Sequence, residues 1–93
     1  MNILIGDIGN TVTKICLIKD KGFLIKKKIS LRSKDILSKN IFKKKINKFL
    51  KNEILSSTAL FSSVVPKYNK IIKVFLKRFY NVDCKEIKEQ KIK

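Results

Sequence analysis

The residues best suited to chemistry lie between Asp7 and Lys14. Asp7 is one of only seven acids in a chain of 93 residues that carries 23 Lys and Arg. It stands in the most apolar stretch, Ile3-Leu4-Ile5-Gly6-Asp7-Ile8. Burying a carboxylate there is costly unless hydrogen bonds or a charge compensate it. A magnesium ion carried on nucleotide phosphates is one such compensation. Gly9 and Asn10 lack bulk, tolerate positive φ, and leave the turn's amides free to face an anion. Thr11 adds a hydroxyl donor. Lys14 can reach back as a point charge to phosphate. Asp7, Ile8, Gly9, Asn10, Thr11, Val12, Thr13 and Lys14 together make a candidate phosphate-binding segment. Asp7 is its candidate metal contact, through phosphate or water. The same residues also suit a plain β-turn whose Asp7 accepts the turn amides.

A second candidate is Ser62-Ser63-Val64-Val65-Pro66, where small hydroxyl residues precede a helix start. Helix N-termini favour anions, but a capped strand-to-helix corner explains these residues better. Cys16 and Cys84 are 68 positions apart in a chain without His, which excludes zinc sites and argues against a disulfide scaffold. Two buried thiols in a reducing cytosol are expected. Tyr68, Tyr80 and the helix Phe residues read as core or rim. Lys26-Lys27-Lys28 and Lys43-Lys44-Lys45 read as solvated faces.

The elements that position these residues follow from periodicity. Asn2–Ile8 reads as a strand buried on both faces. Gly9-Asn10 turns it into a second strand, Val12–Ile18, rich in β-branched residues. Lys19-Asp20-Lys21-Gly22 is a second turn, with Gly at the demanding position. Phe23–Leu31 reads as a third strand, completing an antiparallel meander. From Lys34 to Lys51 the period changes. Leu37, Ile41, Phe42, Ile46, Phe49 and Leu50 recur at steps of three and four, an amphipathic helix with Ser33 as its cap. Thr58–Val65 is an uncharged buried strand. Pro66 opens a second helix with an apolar stripe at Ile71, Ile72, Phe75, Leu76 and Phe79. Asn81–Ile87 fits a fifth strand, and the tail Lys88–Lys93 is expected to fray. The order β-β-β-α-β-α(-β) implies an α/β fold with a mixed sheet. The first strand sits at its centre, between its hairpin partner and the fourth strand.

Length and charge set the limits. Ninety-three residues make one domain, without room for a cleft between two. With 44% hydrophobic and 32% charged residues the chain is globular rather than disordered. The net charge of +16 invites a nucleic-acid reading. Only Arg32 and Arg78 are Arg, however, and Lys, Ile and Asn account for 43 residues. That bias fits AT-rich codons better than a binding face, since specific nucleic-acid readers favour Arg. The first apolar run contains Asp7 and lacks a basic lead, so it is not a signal peptide. No apolar stretch approaches bilayer length. A cytoplasmic protein is expected, with no membrane partner and no nucleic acid.

Asp7-Ile8-Gly9-Asn10-Thr11, followed 55 positions after Asp7 by Ser62-Ser63-Val64-Val65-Pro66, resembles the N-terminal part of type III pantothenate kinases. Ile29-Ser30 is similar to the end of that family's third strand, and Lys34–Lys51 falls where its first helix does. The resemblance spans nearly the whole chain and is weakest in the Lys-rich helix and after Tyr80. It implies a ribonuclease-H-like, actin-like fold, with residues 1–93 as its phosphate-binding domain and the second domain absent. It implies phosphorylation of pantothenate by ATP, the first step of coenzyme A synthesis. The implied cofactors are ATP, Mg2+ and a monovalent cation, K+ or NH4+. The family is homodimeric. By resemblance Asp7 orients the magnesium–phosphate assembly, Gly9, Asn10 and Thr11 cradle phosphate, and Lys14 neutralises it. The family's catalytic Asp lies in a Gly-Ala-Asp-Arg-like motif that this chain does not contain. Asp20, Asp35, Asp83, Glu53, Glu86 and Glu89 are not placed to replace it as general base. The expectation is a kinase half that does not turn over alone. The rival readings are a small basic nucleic-acid-binding module on the same scaffold and a regulatory protein of the Bvg accessory factor type.

Overall fold

The computed structural model describes residues 1–19, 21–22 and 24–87. The order is β1 (Asn2–Ile8), β2 (Val12–Lys19), β3 (Ile25–Arg32), a 3₁₀ turn (Ser33–Leu37), α1 (Lys39–Phe49), β4 (Thr58–Ser63), α2 (Pro66–Tyr80) and β5 (Asp83–Glu86). One five-stranded sheet runs β3-β2-β1-β4-β5. β1 pairs antiparallel with β2 and parallel with β4, so it is the centre of a mixed sheet as expected. β4 and β5 are also parallel. This is the ribonuclease-H-like arrangement that the resemblance implies.

Both helices contribute to one core on one side of the sheet. Leu4, Ile8, Ile15, Leu17, Leu31, Ala59 and Phe61 meet Ile36, Phe42, Ile46, Ile72 and Leu76 there. Burying each large side chain contributes roughly 1.5–3 kcal/mol. Phe61 lies over Gly6, where a Cβ would stand 2.1 Å from its ring. α2 closes on Asn81, whose left-handed φ of 54° lets the Val82 amide donate to the Leu76 carbonyl.

Several expectations change. β1 is buried on one face only. Ile3 and Ile5 are half-buried and Asp7 is exposed on the other, because both helices lie across the sheet from them. The expected helix from Lys34 to Lys51 is two pieces. Ser33 does not cap it, because Ser33 is spent on the loop before β2. Asp35 is drawn inward between Arg32 (3.2 Å) and Lys45 (3.8 Å), which bends the chain into a 3₁₀ turn. Ser38 then caps α1, its hydroxyl accepting from the Ile41 amide. As a result Ile36 enters the core, while Leu37 and Ile41 face solvent. β4 ends at Ser63, two residues before the expected Val65, and is fully buried only at Ala59 and Phe61. β5 spans Asp83–Glu86, shorter than Asn81–Ile87. Lys26 and Lys27 are not simply solvated, since both pair with Glu53 at 2.8 and 2.9 Å. Gly22 takes φ 85° in the second turn, as its position demands. Asp20 and the expected frayed tail Lys88–Lys93 lie outside the described residues.

Candidate phosphate-binding site

The two motifs found in the sequence meet at one edge of the sheet. Parallel pairing sets Asp7 beside Ser62 and Ile8 beside Ser63. Antiparallel pairing sets Asp7 opposite Lys14, and Lys14 opposite Ser30. Ser30, Lys14, Asp7 and Ser62 therefore form a row across four strands, on the face that carries no helix. Neighbouring strands are about 4.8 Å apart, so the row is compact. A hydroxyl, an ammonium, a carboxylate and a hydroxyl stand side by side. No salt bridge joins Asp7 to Lys14 among the described residues, which leaves both groups available to a ligand. The β1 and β4 strands end here at their carboxyl ends, where ligands of α/β sheets bind.

The loop between β1 and β2 is shaped by hydrogen bonds rather than by positive φ. Neither Gly9 nor Asn10 has positive φ, contrary to expectation. The Gly9 amide donates to the Val12 carbonyl at 3.0 Å, so it is not free to face an anion. A Cβ on Gly9 would come within 2.9 Å of that carbonyl oxygen, which explains the small residue. The amides of Asn10 and Thr11 have no partner among the described residues and remain the usable donors. Asn10, Thr11, Val12 and Lys14 are exposed. Ile8 and Thr13 are fully buried, so their side chains face the core and only their backbone borders the loop.

Sequence reasoning missed the group that holds this loop. The Ser33 hydroxyl donates to the Gly9 carbonyl at 2.6 Å, and the Ser33 amide donates to the Thr11 carbonyl at 2.8 Å. The Thr13 hydroxyl lies 2.8 Å from that of Ser33. Ser33 has one proton, already given to Gly9, so Thr13 is the donor between them. Thr13, Ser33 and Gly9 thus form a chain of hydrogen bonds under the loop. A serine before a helix reads as a cap, and nothing local signals this other role.

The second motif is a corner. The Ser63 hydroxyl accepts from the Val65 amide at 3.0 Å and donates to the Val65 carbonyl at 2.9 Å. The Val64 amide donates to the Ile8 carbonyl, which ties the corner to the end of β1. Ser63 is thus occupied, whereas Ser62 has no bonded partner among the described residues.

Acids elsewhere are used up or misplaced. Asp35 pairs with Arg32 and Lys45, Glu53 with Lys26 and Lys27, and Asp83 with Lys77. Glu86 sits opposite Phe61 in register, on the helix-covered side. Among the described residues no three metal-ligating side chains cluster. One carboxylate suits a magnesium ion that keeps its waters and is carried on phosphate oxygens, so the donor set fits that mode and no all-protein cage.

The model of the type III pantothenate kinase family matches residues 3–93. The chain belongs to the type III pantothenate kinase family. It is 42% identical over 92 residues to the type III pantothenate kinase of Pelagibacter ubique, covering 94% of this chain and 34% of that protein. The chain thus spans about a third of that relative's length. Among solved structures it is similar to a PPX-GPPA enzyme of Aquifex aeolicus, at 18% identity, TM-score 0.45, covering 94% of this chain and 36% of the other. A second structure of the Aquifex aeolicus Ppx/GppA family member gives 14% identity and TM-score 0.42, over 94% and 35% of the two chains. Among the described residues no helix of this family member is long and apolar enough to cross a membrane.

Proposed function

We propose that this chain is the ATP-phosphate-binding part of a cytoplasmic pantothenate kinase, acting in the first step of coenzyme A synthesis. The observation that carries the reading is the meeting of the two motifs, which sets Asp7, Lys14 and Ser62 in one row beside the free amides of Asn10 and Thr11. Asp7 would hold Mg2+, through phosphate or water. Asn10 and Thr11 donate to phosphate oxygens, and Lys14 neutralises their charge. Each charge-assisted hydrogen bond contributes roughly 1.5–3 kcal/mol. Mg2+ supplies charge neutralisation along the phosphate chain when bound. Positioning and charge stabilisation are most of what phosphoryl transfer requires. The family's monovalent cation, pantothenate site and homodimer belong to the same proposal.

The other described strand carboxylate on the face of Asp7 is Asp83, which lies two strands away towards the opposite end of the sheet and pairs with Lys77 at 3.1 Å. This supports phosphate binding without turnover for these 93 residues by themselves. The nucleic-acid alternative lacks support on the open face, because every described aromatic side chain lies in the core or on the helices. Base stacking needs such side chains among the cations.

A thermal melt with and without Mg-ATP tests the reading. Ligand at ten times its Kd stabilises by about 1.4 kcal/mol, or about 7 °C for a domain of this size. Asp7→Asn and Lys14→Ala should each remove most of that shift. An unshifted melt at millimolar Mg-ATP refutes phosphate binding. Steady turnover in a coupled ATP/pantothenate assay that Asp7→Asn abolishes refutes the absence of a base.

A further inference from the structure

A cavity lies in the groove between α1 and α2. Its volume is about 570 Å³. Ile36, Phe42, Ile71 and Phe75 form an apolar floor, with Phe42 and Phe75 edge to face at 5.0 Å. Val74 and Phe79 remain 57% and 49% exposed at its mouth, a large unpaired apolar surface for two residues. The Tyr80 hydroxyl donates to Asn47, which ties the two helices together beside the groove. The rims are cationic on both sides. Lys39 and Lys43 stand one turn apart on α1, and Lys70 and Arg78 two turns apart on α2. No acid lines the groove. The Lys43 ammonium sits 4.9 Å from the centre of the Phe79 ring, and the Arg78 guanidinium 5.7 Å from it, so charge and apolar surface are presented together.

We propose that this groove docks an amphipathic helix of a partner protein whose apolar stripe is flanked by Asp or Glu on both sides. Two parallel cationic rails about an apolar floor complement that pattern, with apolar side chains at i, i+3, i+4 and i+7 as anchors. A fatty acid or single phosphate would use one cationic end and leave a rail unpaired. A second copy of this chain does not supply the complement, because neither α1 nor α2 contains an acidic residue. The proposal does not depend on the phosphate reading.

The test uses the full chain and a fluorescent synthetic helix with a Leu stripe and Glu flanks. Binding should weaken as salt rises. Lys43→Glu with Arg78→Glu should weaken it about tenfold or more, and Lys43→Gln with Arg78→Gln about threefold. Phe79→Ala should weaken it without changing the salt dependence. Lys28→Glu with Lys85→Glu on the open sheet face makes the same change in net charge and should alter binding by less than about twofold. Equal loss in that control means a non-specific polyanion effect and overturns the proposal. Equal binding of a Lys-flanked or scrambled peptide overturns it as well. Groove variants that spare the peptide but abolish binding to phosphatidylserine vesicles would give the surface to lipid instead. Self-association lost in Phe79→Glu would give it to a second copy.

Discussion

Replacing Ser33 by Ala should damage the protein more than any cap mutation would. The change removes the donor to the Gly9 carbonyl and leaves the Thr13 hydroxyl, which is fully buried, without a partner. The lost bond is worth about 1 kcal/mol and the orphaned hydroxyl about 1–3 kcal/mol. Their sum is about 2–4 kcal/mol. A chain of this size has an unfolding entropy of about 0.2 kcal/mol per degree, so the melting temperature should fall by about 10–20 °C. Thr13→Val acts differently. It removes the other hydroxyl but keeps the Ser33–Gly9 bond, at a cost of about 1 kcal/mol. The double variant leaves no orphaned hydroxyl and should cost about 2 kcal/mol, less than the two singles added. Differential scanning calorimetry of the four proteins completes the cycle. The loop responds in parallel, since Thr13→Val should keep the Mg-ATP shift that Ser33→Ala reduces. Additive single effects, or a Ser33→Ala melt within about 2 °C of the parent, would refute the hydrogen-bond chain.

Further expectations follow from packing and titration. Gly6→Ala places a methyl against the buried Phe61 ring and should cost about 1–3 kcal/mol or more, with partial recovery in Gly6→Ala/Phe61→Leu, read by thermal melts. Burial pushes the Cys84 thiol up to about 11 from an ordinary 9.0. Its stabilising contribution is whole below pH about 9 and is lost as pH rises towards about 11, so urea midpoints should drop across that window and drop less in Cys84→Ala. At neutral pH an alkylating reagent should mark half-buried Cys16 first and reach Cys84 only on unfolding, as mass spectrometry can show. Hydrogen bonds from Lys26 and then Lys27 hold the Glu53 carboxyl below its usual range. That contribution is present above the ordinary carboxylate pKa and disappears as pH falls through the lowered one, so Glu53→Gln should flatten the acid limb of the stability curve.

Local chemistry was legible and cross-chain geometry was not. The meander, the central place of β1 and the stripe of α2 follow from alternation, turn residues and helical spacing. The side of β1 that carries Asp7 does not, because Ile3, Leu4, Ile5 and Ile8 are alike in type. What decides it is the placement of both helices over Leu4 and Ile8, and that depends on crossovers tens of residues away. The split of the first helix was hidden for a related reason. Ser33 is held inward by Gly9, Thr11 and Thr13, all outside the Lys34–Lys51 window, and Asp35 by ion pairs with Arg32 and Lys45, which an apolar periodicity does not weigh. The meeting of the two motifs is the instructive intermediate case. Fifty-five positions separate Asp7 from Ser62, and spacing alone does not make them neighbours. A strand that returns parallel to β1 through a helix must, however, bring its carboxyl end to the same edge. Once the order of elements is read correctly, the alignment of the two motifs at one edge follows from topology. The exact register, Asp7 beside Ser62, is then fixed by Gly6, whose missing side chain admits the Phe61 ring one step before it.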